Sequence, residues 1–350
     1  MVNDVMLTDS EDRRSKILVA VVEGYIDTGS PVGSQMICEK YRLGVSSATI
    51  RNVMGDLEAQ GLIMQPHTSA GRVPTDRGYR AYVNALRELL LDPEQARRVD
   101  ALLGQTGVEP AALLDRAARL MAELTRQAAV ALYPVLRRNA FKRLEVVPLD
   151  GRRLLCVLVT MQGLVRSIII EVDEPVTAEE LHTLLRFLNT ELQGMGLDAV
   201  EEFLQRRILA QHDSFFHLLK RALQILHLAL ESGEAEPLRL EGASYMLMQP
   251  EFQDAERTRL VLQFLETRQE LVGLLQEDLA REGIQVHIGQ ELPQPAMSDC
   301  SLVTMTYRIN GQVVGGLGVL GPKRMEYPRV MAMVDYVARR VGELLSEAVR

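Results

Sequence analysis

The sequence predicts an α+β fold built in more than one unit, and three observations carry that prediction. Residues 13–86 show three successive helical patterns, a polar hairpin-like loop and a fourth helix. Apolar runs separated by glycine turns, at 140–172 and again at 284–320, read as strands. Between them, residues 177–231 are almost wholly helical in pattern. At 350 residues and 47% hydrophobic content, the chain has room for two or three domains with their own cores.

Residues 1–12 read as a frayed lead. Ile17, Leu18, Val21, Val22, Tyr25 and Ile26 recur at helical spacing, so an amphipathic helix is expected over 13–27, with Gly29 just beyond its end. Ser30-Pro31 turns the chain into a short helix over 34–41 that buries Met36 and Ile37. Ser46 or Ser47 caps the next helix, whose inward stripe is Ile50, Val53, Met54 and Leu57 and which stops at Gly61. Leu62 and Met64 alternate like a short strand, and Val73 lies on its return partner. Thr75 caps a helix over 76–91. Asp92-Pro93 breaks it, and 93–107 reads as a short helix or linker. Residues 113–133 read as one long helix ended by Pro134. Strands follow at 144–147, 154–160 and 164–172, and helices at 177–193 and 198–231. Beyond Pro237 the pattern mixes: strand-like 238–247, helices near 254–265 and 269–281, and a strand over 284–288. A hairpin then pairs 302–309 with 313–320 around Gly311, before a final helix over 328–349. Two sheet segments framing a helical stretch fit a single α+β domain with a helical insertion, or two successive domains.

Charge narrows the function classes. The chain carries 39 Lys and Arg against 47 Asp and Glu, net −8, which argues against a bulk nucleic-acid coat. Residues 13–87 hold 10 Lys and Arg against 6 Asp and Glu, a local net of +4, so the acidic excess lies elsewhere. The three cysteines, Cys38, Cys156 and Cys300, lack metal-ligand spacing and read as reduced packing residues of a cytosolic protein. The acidic, polar N-terminus is no signal peptide, and no apolar run is long enough to span a membrane. Tryptophan is absent and aromatics are 5%, so stacking on unpaired bases is not the expected mode.

A capped helix followed by a polar, arginine-bearing loop is the arrangement of a winged helix-turn-helix, in which the helix enters a major groove and the loop touches backbone or minor groove. Arg51 and Asn52 sit opposite or beside the apolar stripe; arginine clasps guanine edges and asparagine adenine edges. Ser47 and Thr49 lie in the first turn, where backbone N–H groups and hydroxyls meet phosphate. Gln65, His67, Thr68, Ser69 and Arg72 populate the wing, and Arg77 and Arg80 could extend the patch along the next helix. Each residue alone has a bland reading as a solvated or capping side chain; the combination points to DNA. Gly55, mid-helix, costs about 1 kcal/mol of helix propensity and permits close approach either to the first helix or to DNA. Enzyme readings fare poorly. His212 and His217 are five apart, which does not stack them on a helix for metal. Gly311, Gly315, Gly316, Gly318 and Gly321 lack the Lys-Ser/Thr of a phosphate loop and suit turns and close strand packing.

The stretches SSATIRNVMGDLEAQGLIMQPHTSAGRVPTDRGYRAYV, residues 46–83, and INGQVVGGLGVLGPKRMEY, residues 309–327, make the chain resemble the HrcA family of heat-inducible transcription repressors. Val53 departs from that resemblance, standing where many relatives carry an acidic residue; on the apolar side of its helix it affects packing. The resemblance implies a winged helix-turn-helix domain over 1–91, a linker over 92–112, a GAF-like α+β domain over 113–175 and 238–350, and an inserted dimerisation domain over 176–237. It further implies a cytoplasmic homodimer that binds an inverted-repeat operator of chaperone operons, releases it on heat stress, and depends on a chaperonin for competence, with no cofactor, no membrane and no catalytic activity. DNA-binding residues carried over are Ser47, Thr49, Arg51, Asn52, His67, Thr68, Ser69, Arg72 and Arg77. Two rivals stand beside it. A metabolite-responsive regulator would show a polar, ligand-sized pocket beside the 309–320 hairpin. A scaffold binding the chaperonin through the 203–230 helices would show no basic face on 46–80.

Overall fold

The protein is described here by a computed structural model that covers residues 9–67, 70–86, 89–104, 109–134, 139–150, 152–161, 163, 165–172, 175–209, 220, 223–227 and 238–348. The first helix, α1 (Asp9–Thr28), buries Ile17, Val21 and Val22. Short α2 (Ser34–Tyr41) and α3 (Ser47–Ala59) complete the tri-helical head. Strands β1 (Ile63–Met64) and β2 (Val73–Pro74) pair antiparallel. Ile63, not Leu62 or Met64, points inward: it is 1% exposed against 49% for Met64. Gly61, at φ 70, redirects the chain before pairing begins, and a one-residue offset exchanges the faces of a strand.

Helix α4 (Asp76–Ala85) is capped by the Thr75 hydroxyl, which accepts the Gly78 N–H, and it stops well short of Leu91 because Leu86 turns extended. The stretch allowed as linker forms α5 (Pro93–Leu103), capped by Asp92 and burying Val99 and Leu103. Next, α6 (Pro110–Thr125) ends at Arg126 in the left-handed region, and Ala128–Leu132 becomes strand β3 instead of a further helical turn. All five β3 side chains are buried. A short apolar run hidden on both faces has no periodicity to betray it as strand.

Strands β4 (Phe141–Pro148), β5 (Arg153–Thr160) and β6 (Val165–Glu171) form a three-stranded antiparallel sheet. Helix α7 (Ala178–Glu191), opened by a Thr177–Glu180 capping box, and α8 (Leu197–Leu209) follow. Phe141, Leu144, Cys156 and Leu158 of the sheet share a separate core with Leu184, Leu188 and Leu204 of the helices. The chain then supplies β7 (Leu238–Glu241), short α9 (Ala243–Leu247), α10 (Ala255–Thr267), α11 (Gln269–Asp278), β8 (Gln285–Ile288), β9 (Cys300–Ile309), β10 (Gln312–Pro322) and α12 (Tyr327–Ala348).

The second sheet is five-stranded, in the order β7-β3-β10-β9-β8. Residues 141–171, expected to belong to it, instead form their own sheet, joined at Phe141 to the backbone of Gly194 and Met195, and pack on α7 and α8. Membership was decided by which helices cover them, a matter no local pattern records. His212 and His217, with Phe215, Phe216 and Leu219, lie outside the described residues. The glycines of β10 do serve close strand packing: a methyl at Gly315 would lie 2.2 Å from the Tyr307 hydroxyl, and one at Gly318 2.8 Å from the Val303 carbonyl.

One apolar cluster runs without interruption from α1, α3 and α4 through α5 and α6 to β9, β10 and α12. Tyr79 and Tyr82 of α4 meet Tyr327 at ring-centroid distances of 5.9 and 6.3 Å. The tri-helical head is therefore packed directly on the five-stranded sheet unit.

Candidate nucleic-acid interface

The N-terminus of α3 is built by two serines with different jobs. Ser46 is the cap: its Oγ accepts the Thr49 N–H at 3.2 Å and lies 3.0 Å from the Thr49 hydroxyl. Ser47 is a peg, its Oγ 3.0 Å from Ser34 Oγ at the start of α2, which ties the two helix N-termini together. Ile50, Met54 and Leu57 turn inward at helical spacing. Arg51 and Asn52 consequently project outward, both exposed and without a hydrogen bond or ion pair among the described residues. A methyl at Gly55 would meet nothing within 4 Å, so Gly55 borders open space and does not serve an approach to α1.

The wing is braced from inside. Arg72 and Val32 exchange backbone N–H···O bonds, both 2.8 Å, adding the α1–α2 loop to the small sheet. A methyl at Gly71 would lie 2.4 Å from the Val32 carbonyl oxygen, so that close approach needs glycine. Arg72 donates through Nε (3.0 Å) and Nη2 (2.8 Å) to Glu58 Oε2 near the end of α3. The other oxygen of Glu58 accepts the Gln65 N–H at 3.1 Å. Glu58 thus fastens both strands of the small hairpin to α3 and neutralises part of the Arg72 charge. His67 is exposed at the loop, its carbonyl accepting the Ala70 N–H at 2.9 Å. Thr68 and Ser69 lie outside the described residues.

Arg51 and Arg72 stand on a common cleft of about 410 Å³ with Val32, Ser34, Met54 and Gln65. Arg77 is exposed at the base of the wing, its guanidinium 3.4 Å from where a Gly61 methyl would sit, and has no ion pair among the described residues. Arg80 is turned away: it pairs with Glu291 and donates to the Val286 carbonyl in the sheet unit, so it extends no DNA patch. Arg42 was missed by sequence reasoning. It is exposed, unpaired among the described residues, and held at φ 46 immediately after α2. Its signal was available only as an arginine at a helix end, which charge patterning does not distinguish from a solvated side chain.

A protein from Symbiobacterium thermophilum called "Heat-inducible transcription repressor HrcA" is 38% identical over 335 residues, covering 95% of this chain and 98% of the relative. The chain belongs to the HrcA family. A relative of the same description from Moorella thermoacetica is 39% identical over 97% of this chain and 99% of its own length. The HrcA protein C-terminal domain matches residues 111–331. A crystal structure described as that of a hypothetical protein superposes with a TM-score of 0.59 at 26% identity, covering 96% of this chain and 98% of that one. This member of the HrcA family thus shares its mixed helix–sheet architecture over nearly full length. No helix among the described residues is long and apolar enough to cross a membrane.

Proposed function

We propose that the chain is a cytoplasmic, heat-inducible transcription repressor that grips an inverted-repeat operator of chaperone operons as a homodimer. The observation that carries this reading is the unpaired outward edge of α3, Arg51 with Asn52, beside a braced wing. The relatives' shared description supports the regulatory role. In this reading Arg51 and Asn52 contact base edges. Ser47, whose hydroxyl is engaged by Ser34, offers its first-turn N–H to a phosphate, whereas the Thr49 N–H is held by the Ser46 cap, so Thr49 meets the phosphate through its hydroxyl. His67, Arg72 and Arg77, together with Thr68 and Ser69, hold the backbone on the wing side, with Nη1 of Arg72 left over from its grip on Glu58.

The five-stranded sheet with its helices is the GAF-like part, and the β4–α8 unit is inserted into it between β3 and β7. The apolar residues of α7 and α8 cover one face of the small sheet. The opposite face holds Val147, Leu155 and Ile169 in one cross-strand row and Val159 with Val165 in another, and among the described residues no element packs on it. Val165 and Ile169 are 64% and 58% exposed. Arg143 and Glu145, 3.3 Å apart, lie on the same face. A face that is apolar and carries both charges suits a second copy of itself about a twofold axis. A chaperonin is the further partner, raising the fraction of competent repressor. The metabolite-responsive alternative gains nothing from the groove between β9 and α12: Arg308 is engaged by Gly311 and Glu282, Arg339 by Asp335, and Ser346 by Gly342 and Asn310.

The test is binding of purified protein to duplexes from upstream of its genome's chaperone operons, against scrambled duplexes, at two salt concentrations. Tighter binding to the former at both salts is expected; equal affinity for both would overturn the reading.

A further inference from the structure

Among the described residues the segment GPKRMEY, residues 321–327, makes no hydrogen bond or ion pair to the recognition helix or the wing, yet it carries two cations that reach into the DNA-binding head. Lys323 Nζ lies 2.8 Å from Asp76 Oδ1 at the start of α4, and 3.7 Å from Asp299 of its own unit. Arg324 Nη1 donates to the Ile26 carbonyl in the last turn of α1 at 2.9 Å, and its Nε donates to Glu251 at 2.5 Å. The Arg324 guanidinium lies 3.3 Å from where a methyl on Gly29 would sit. A third grip comes from Arg80 on Glu291, and Asp76 Oδ2 also accepts the Gln290 N–H at 3.1 Å. Burial alone would raise the Glu291 carboxyl, but hydrogen bonds from Arg80 and the Ile288 N–H hold it below its ordinary value.

Contacts at the end of α1, the start of α4 and the middle of α4 are not collinear, so together they fix the head in rotation as well as position. The aromatic contact of Tyr79 and Tyr82 with Tyr327 lies beneath them. The joint is also imperfectly satisfied: the Tyr79 hydroxyl and Glu251 Oε2 are buried without a hydrogen-bond partner among the described residues. A stack of apolar side chains alone would let the head slide and pivot; directional ion pairs do not.

We infer that Lys323 and Arg324 are positioning residues for DNA recognition: by clamping α1 and α4 to the sheet unit they set the bearing of α3, and with it the half-site spacing that a dimer accepts. This rests on the proposed operator binding. A dimer reads two half-sites only when the distance between its recognition helices matches the helical repeat of DNA. A rigid head makes that match steep, and a loosened one makes it shallow.

The experiment uses full-length protein and an inverted-repeat duplex that it selects from a random pool, with the half-site spacing then changed in single base-pair steps. The native protein is expected to lose at least tenfold in affinity two steps from its optimum. Lys323→Ala/Arg324→Ala is expected to lose less than threefold over the same steps while binding an isolated half-site as the native protein does. Native steepness retained by the double variant overturns the inference. Loss of half-site binding by well-folded double variant also overturns it, because the residues would then act on the reading head itself. Charge exchange, Asp76→Lys with Lys323→Asp, is expected to restore part of the steepness that Lys323→Asp alone removes. A DNA-independent readout is the distance distribution between spin labels at Ala59→Cys and Glu347→Cys, in labelled chain diluted with unlabelled. It should broaden in the double variant, and an unchanged narrow distribution refutes the clamp even if no duplex is selected; failure of selection alone counts against operator binding.

Discussion

Arg72→Ala separates the two jobs assigned to the wing arginine. Two of its nitrogens hold Glu58, at 3.0 and 2.8 Å, and the third is left for a phosphate. The Arg72 side chain is 22% exposed and that of Glu58 35%, so the pair is partly sheltered. Exposed pairs contribute about 0.2–1 kcal/mol and charge-assisted hydrogen bonds about 1.5–3 kcal/mol, which places this one near 1 kcal/mol. Chemical denaturation should therefore show a stability loss of roughly that size. Loss of one phosphate contact lowers the salt slope by about 0.9, so the variant's deficit should be about 3.5-fold larger at ~50 mM than at ~200 mM salt. Glu58→Gln, which removes the brace and keeps the cation, should leave the slope at its native value. Fluorescence anisotropy on operator and scrambled duplexes reads both effects. An unchanged slope with unchanged affinity in Arg72→Ala would refute the phosphate contact and leave the residue as a brace alone.

Arg51→Ala should not alter stability, since the side chain is exposed and unpaired among the described residues, but should weaken operator binding by about 1–3 kcal/mol; an equal loss on scrambled DNA would make it a phosphate contact. Gly78→Ala should destabilise the head by about 3 kcal/mol in thermal or denaturant unfolding. The added methyl would lie 2.0 Å from the Leu62 carbonyl oxygen, which accepts both the N–H and the hydroxyl of Thr75 at 3.1 Å; a change below ~0.5 kcal/mol would contradict that packing. Val157→Asp, mid-strand on the open face of the small sheet, should yield a folded monomer by sedimentation and circular dichroism, whereas a persisting dimer would move the interface elsewhere. Incubation with chaperonin and ATP should raise the number of active repressors in a titration at constant intrinsic affinity; an altered affinity would point to an allosteric partner instead.

The sequence by itself determined those elements whose cues lie within one or two turns of the chain. The α2 bounds, the Thr75 cap, the hairpin of β9 and β10 and the outward placement of Arg51 and Asn52 all follow from spacing and local side-chain chemistry. Tertiary structure alone decided what depends on distant partners. Ala128–Leu132 is a strand because β10 and β7 flank it, although its composition suits a helix equally well. Strands β4 to β6 leave the main sheet because α7 and α8 cover them. Arg80, three residues beyond Arg77 and alike in sequence setting, turns to Glu291 while Arg77 has no ion pair among the described residues, because a carboxylate 211 positions further along the chain is brought to one and not the other. Charge on a helix face is local information; the partner that captures it is not.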